Sequence, residues 1–186
     1  VTDVGHRALV AYERDSERYD LHYSHWGAHE WQLTAAITPD HPYGRQDGDH
    51  SGKTGAVDPA PLATDRPFDT ILDEYLDFQQ YEAFYLVSGD FEVTPSLVCW
   101  FGLPGGEESR SHNGGLISVD RDDARTDGAH LRGWFMGAKA TVCEFLGRGT
   151  LDGETATAYL AGAVQSWTGD DRTVHLSQRA SDAIEN

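Results

Sequence analysis

Apolar and polar positions along the chain switch between two periods, one of two residues and one near 3.6, and the switches mark the predicted elements. Arg7–Glu13 (RALVAYE) alternates as a strand, with Leu9 and Ala11 on one side and Ala8, Val10 and Tyr12 on the other. Both sides are largely apolar, which predicts a central strand. Arg14–Arg18 is a polar turn, and Tyr19–His25 is a second strand closing an N-terminal antiparallel hairpin. Tyr19, Leu21, Tyr23 and His25 share one side of it, so His22 is expected to face away from His25. After Gly27 the period lengthens: Trp26, Glu30, Leu33 and Ile37 follow a helical stripe, predicting a short helix over 28–37 that ends before Pro39.

Residues 39–67 differ in kind. They hold five of the seven prolines and almost no large apolar residues, so a long surface loop or insertion is expected. Pro67 suits a first helical position, and Phe68, Ile71, Leu72, Tyr75 and Leu76 give a stripe predicting a helix to about Phe78. Three strands follow at Glu82–Ser88, Glu92–Leu103 and Leu116–Asp120, with Pro95 expected at an edge or bulge. A Gly-rich loop, Pro104–Gly115, joins the last two. Leu131, Trp134, Phe135, Ala138, Val142, Phe145 and Leu146 then hold the helical period until Gly147 or Gly149. Asp152 caps a second helix with Tyr159, Leu160, Ala163, Val164 and Trp167 as its apolar stripe. Residues 169–186 read as a polar tail with an edge strand at Thr173–Leu176.

The order ββα–loop–αβββ–αα lacks the alternation of a parallel sheet. It predicts a single α+β domain over 1–186. A mostly antiparallel sheet of about five strands would be covered by a C-terminal antiparallel helical pair.

Charge changes the picture next. The chain carries a net charge of −17, with 20 Asp and 11 Glu against twelve Arg and only Lys53 and Lys139 as lysines. Such one-signed charge destabilises a compact state, and molar salt, with a screening length of about 3 Å, removes much of that repulsion. The composition therefore points to the cytoplasm of a salt-in halophile, where most carboxylates are solvated surface. Without a Lys/Arg cluster, the phosphate-neutralising term of nucleic-acid binding has no source. The apolar runs are too short and interrupted to span a membrane, and no signal-peptide pattern opens the chain. A soluble, cytoplasmic protein is expected. Cys99 and Cys143 have no metal-ligand spacing and read as small apolar residues.

Candidate chemistry gathers in Tyr19–Trp31, which holds three of the nine histidines and two of the five tryptophans. His25 and His29 stand at the i, i+4 spacing that zinc sites use on helices, and His22 lies three residues earlier. Trp26 occupies the place where the HExxH motif needs Glu. The alternative is that the imidazoles pack beside Trp26 and Trp31, hydrogen-bonded and metal-free. The Gly27 junction also offers helix-start amides to an anion. Gly48–Thr54 (GDHSGKT) has the look of a phosphate loop, but three residues rather than four separate its glycines. No GxSxG elbow occurs. Arg110, Ser111 and His112 suit a solvated hairpin loop as well as a ligand contact. Arg132 and Lys139 lie off the apolar stripe and read as solvated helix surface.

GHRALVAYERDSERYDLHYSHWGA (5–28), YEAFYLVS (81–88), CWFGL (99–103) and LRGWFMGAK (131–139) together resemble an uncharacterised family of small haloarchaeal proteins, a domain of unknown function. The resemblance implies a haloarchaeal origin and a stand-alone cytoplasmic domain, with no catalytic residues to carry over.

The leading expectation is an intracellular accessory domain that binds a protein partner or small ligand at the 22–31 corner, through His25, Trp26, Gly27, His29 and Trp31. It needs no cofactor. The alternative is a metal-assisted or His-dependent hydrolase with His22, His25 and His29 as ligands for zinc or another divalent metal, and Asp20 or Glu30 as acidic partner. A third is self-association into a homo-oligomer.

Overall fold

Leu9 and Val10, neighbours in the first strand, are both fully buried, and each belongs to a different core. The sheet is thus covered on both faces. The structure, a computed structural model, describes residues 6–15, 17–44, 55–103, 111–168 and 171–185. The phosphate-loop lookalike at 48–54 and Arg110 lie outside them.

Among the described residues, seven strands form one sheet: β1 (Ala8–Glu13), β2 (Arg18–Ser24), β3 (Ala63–Pro67), β4 (Ala83–Val87), β5 (Val93–Trp100), β6 (Gly114–Ser118) and β7 (Val174–Leu176). Their order is β3-β2-β1-β4-β5-β6-β7. The expected α+β class holds, but about five mostly antiparallel strands is corrected to seven in a mixed sheet, because β1 pairs with β4 in parallel. The segment between β2 and β4 is long enough to return to the starting end of the sheet, which a parallel neighbour requires. β1 is central, as its two apolar faces predict. Two short edge strands complete the count: β3, at the end of the 39–67 stretch, and β7, within residues 169–186. Pro95 pairs with Tyr85 in an interior strand, and its carbonyl accepts from the Val119 amide past the end of β6, so the expected edge position is not observed.

Side-chain alternation sorts the two cores. On one face Ala8, Val10, Tyr85, Val87, Cys99 and Ile117 meet α3 (Ala124–Gly147) and α4 (Gly153–Thr168), the predicted helical pair. Their turn uses Gly149 at φ +70°. The buried stripe of α4 is Ala156, Leu160, Ala161 and Val164, while Tyr159, expected inside, is exposed. A further helix, α5 (Gln178–Glu185), packs on α4 within residues 169–186. On the opposite face Leu9, Ala11, Leu21, Phe84, Val98 and Leu116 meet Ile71, Leu72, Leu76 and Phe78. That cover is shorter than predicted: one helical turn, α2 (Phe68–Thr70), continues as a wider turn over Ile71–Tyr75.

The expected helix over 28–37 is also corrected. A 3-10 turn at His29–Trp31 and a single turn, α1 (Leu33–Ala36), replace it, because Glu30 and Trp31 adopt φ of 51° and 59°. Two adjacent non-glycine residues in the left-handed region cost roughly 1 kcal/mol or more each. The compensation lies in Trp31, which is 6% exposed and seated on Gly128 of α3, where a methyl group would come within 2.2 Å of the indole nitrogen.

Candidate functional site

A cleft of about 480 Å3 opens where this corner faces α3. Arg125, Ala129, Arg132, Gly133 and Met136 line one wall, at spacings that place them on one helical face. Ala28, His29, Glu30 and Trp31 line the other, with His6, two residues before β1, and Glu82, just before β4, at the base. The parallel pairing of β1 and β4 brings these two together from distant parts of the sequence: the His6 Nδ1 lies 3.1 Å from Glu82 Oε2.

Arg132 donates to the same Glu82 oxygen at 2.7 Å. Burial alone would raise the pKa of Glu82, but the hydrogen bonds from Arg132 and His6 outweigh it and hold the carboxyl below the usual carboxylate range. Glu82 is therefore ionised at neutral pH, and His6 Nδ1–H is the donor. That fixes the ring and leaves Nε2 as its remaining nitrogen. At the mouth, Arg125 Nη2 pairs with Glu30 Oε1 at 3.0 Å. Two arginines and two glutamates make the lining formally neutral with neutral histidines, in a chain of net charge −17.

The three predicted histidines do not form one group. His22 is 4% exposed on the opposite side of β2 from Tyr23. Its Nδ1 donates to the Asp58 carbonyl at 2.8 Å, and Tyr12 and Tyr43 pack on its ring at 5.1 and 5.4 Å. His25 Nδ1 is hydrogen-bonded to the Tyr23 hydroxyl at 2.8 Å. Trp26 packs between His25 and His29, with ring centres 5.2 and 6.4 Å away. His29 lies beside His6, ring centres 5.4 Å apart. Among the described residues no three His, Cys, Asp or Glu side chains gather where a metal ion would fit.

Of the five residues expected at a ligand, His29 and Trp31 line the cleft, Trp26 supports His6 and His29, and His25 stands behind Trp26. Gly27 is a packing position. An added methyl would meet Leu33, Ala8 and Ser24 within 2.8 Å, and its carbonyl accepts from the buried Tyr85 hydroxyl at 2.7 Å.

Sequence reasoning missed His6, Glu82 and Arg125, and took Arg132 for solvated surface. The one available signal was the i, i+7 spacing of the two arginines, which many solvated helices share. Lys139 is likewise not simply solvated: its ammonium donates to the Trp100 carbonyl at 2.7 Å, lies 4.0 Å from that ring's centre, and burial lowers its pKa. Cys99 is fully buried, and burial pushes its thiol pKa well up, as befits an inert core residue. His112 is tied to the Leu76 carbonyl at 3.1 Å.

Among the described residues no helix is long and apolar enough to cross a membrane. A family of unknown function, DUF6735, matches residues 4–54 and 48–176, and the chain belongs to it. No curated protein and no solved structure matches.

Proposed function

We propose that this member of a family of unknown function is a binding domain for a small ligand, held in the cleft between the 28–31 corner and α3. One observation carries the reading. The cleft has the volume of small-molecule sites, about 300–1,000 Å3, and combines apolar walls with a few oriented polar groups. Ala28, Trp31, Ala129 and Met136 supply the walls; His6, Glu82 and Arg132 supply polar groups fixed by their own hydrogen bonds. Left-handed strain at Glu30 and Trp31 fits a site held in one shape.

The setting we propose is the salt-rich cytoplasm of a halophile, supported by the −17 net charge and the scarcity of lysine. Unfolding free energy then rises steeply with KCl up to molar concentrations.

A small-molecule library screened by amide NMR tests the ligand reading, with Gly133→Trp as control. A methyl at Gly133 would meet nothing within 4 Å, so the backbone there accepts a side chain and the indole is expected to occupy the cleft that Gly133 lines. Ligands are expected to shift the amides of 28–31 and 125–136 and to lose those shifts in the variant. Hits that all map elsewhere would overturn the reading.

His-dependent hydrolysis is the second reading, favoured by the orientation of His6 by Glu82. It moves the proton-transferring group from His22, His25 and His29 to His6. Hydrolysis of activated esters that survives His6→Ala unchanged would exclude it. Metal analysis of protein purified without chelator tests the metal-assisted form, which requires close to one equivalent.

A further inference from the structure

Glu30 is held in a conformation that its own packing does not explain. Trp31 is left-handed because its ring is buried on Gly128, but the Glu30 side chain is 52% exposed. Its carboxylate reaches across the cleft mouth to Arg125, whose own side chain is 76% exposed. Deeper in the same cleft a second carboxylate, Glu82, is gripped by Arg132 and His6 and is only 30% exposed. The cleft therefore contains carboxylate–guanidinium pairing twice, once fixed and once loose. On α3 Ala129 lies between the two arginines and Met136 one turn beyond Arg132, while Ala28 and Trp31 line the facing wall.

We propose that Glu30 is a placeholder for the carboxylate of a small organic acid. The ligand's apolar body lies against Trp31 and Ala129, and its carboxylate replaces Glu30 on Arg125. A guanidinium offers a planar fork of donors matched to a carboxylate, and a free acid can align with both prongs where a tethered side chain is constrained by its backbone. The exchange conserves charge in the cleft, since one anion leaves Arg125 as another arrives. Glu30 swings into water at little cost because exposed ion pairs are weak. Ligand charge is thus selected locally, although the whole chain repels anions. This rests on the small-ligand reading and adds the ligand's class to it.

Benzoate and hexanoate are the probes, with benzamide and hexanamide as neutral matches, titrated by calorimetry at fixed ionic strength and neutral pH. Both acids are expected to bind, and the amides at least about tenfold more weakly. Arg125→Met, an exposed substitution that leaves the core untouched, should weaken the acids by about tenfold and leave the amides unchanged. Glu30→Gln should tighten the acids by up to about fivefold, the worth of the exposed pair it removes. Amides that bind as well as acids, or acids weakened by Glu30→Gln, would overturn the placeholder and leave the cleft reading standing. The same holds if neither acid binds while other ligands sensitive to Gly133→Trp do. If no ligand of any chemistry is sensitive to Gly133→Trp, both proposals fall.

Discussion

His22 and His6 sit on the two strands of one hairpin or beside them, and the fold uses them in opposite ways. His22 is sealed. Its ring lies between Tyr12 and Tyr43 and its Nδ1 is tied to the Asp58 carbonyl, while Ser24 Oγ donates to the Ala56 carbonyl and Tyr12 to that of Pro42. Together these bonds stitch both ends of the 39–62 excursion to the sheet, with Leu62 N donating to Leu21 as well. His6 is 43% exposed and is held by one carboxylate at the base of a cleft. A histidine enclosed in the core stabilises; one held at Nδ1 with its ring partly open to a cleft is available for chemistry. Residue type, proximity in sequence and the single hydrogen bond at Nδ1 do not distinguish the two cases, but burial does.

The comparison can be broken in steps of decreasing size. The largest effect is expected at Gly128→Ala, where the methyl would strike the seated Trp31 ring; overpacking of this kind costs about 3 kcal/mol, read from the denaturant midpoint. If the cost is below about 1 kcal/mol, the corner is looser than its buried indole implies. His22→Ala comes next, at about 2 kcal/mol, from the lost packing and the unpaired Asp58 carbonyl. Hydrogen exchange should quicken at the amides of 57 and 58, while cleft ligands bind as before.

Glu82 gives a pH-dependent effect. Its folded pKa is depressed below the unfolded value, so its contribution is complete above the ordinary carboxylate range and is lost as pH falls through the folded pKa. Glu82→Gln should remove no more than about 1 kcal/mol at neutral pH and flatten the acid limb of the stability curve. Asp127, depressed chiefly by its hydrogen bonds from Arg172, should leave a residual slope in that variant. Glu30→Gly has the opposite sign: a residue free to adopt φ 51° should stabilise by roughly 0.5–1 kcal/mol in a melting or denaturant experiment. His6→Ala should be the smallest in stability, within about 0.5 kcal/mol, while altering ligand binding. If His6→Ala destabilised as much as His22→Ala, the contrast between a sealed and an available histidine would collapse.

Several features are legible in the order of residues alone. The alternation in Arg7–Glu13 and Tyr19–His25 correctly separates His22 from Tyr23, although β2 ends at Ser24, and the stripe from Leu131 to Leu146 finds α3. Edge strand β7 is also readable at 174–176, whereas β3 (ATDRP) carries too little apolar patterning to announce itself. The break in the helix at Glu30 is not legible, because nothing in HEW favours the left-handed region.

The sequence by itself determined the α+β class, the faces of the strands and the main helices. Those depend on neighbours within a few residues, whose periodicity repeats along the chain. Only the tertiary structure decided that β1 and β4 run parallel, that Trp31 finds its seat on Gly128, and that His6 and Arg132 share Glu82. His6 and Glu82 are 76 residues apart and Glu82 and Arg132 are 50 apart. No local pattern encodes such a meeting; it exists only once the sheet order sets which strand ends lie side by side.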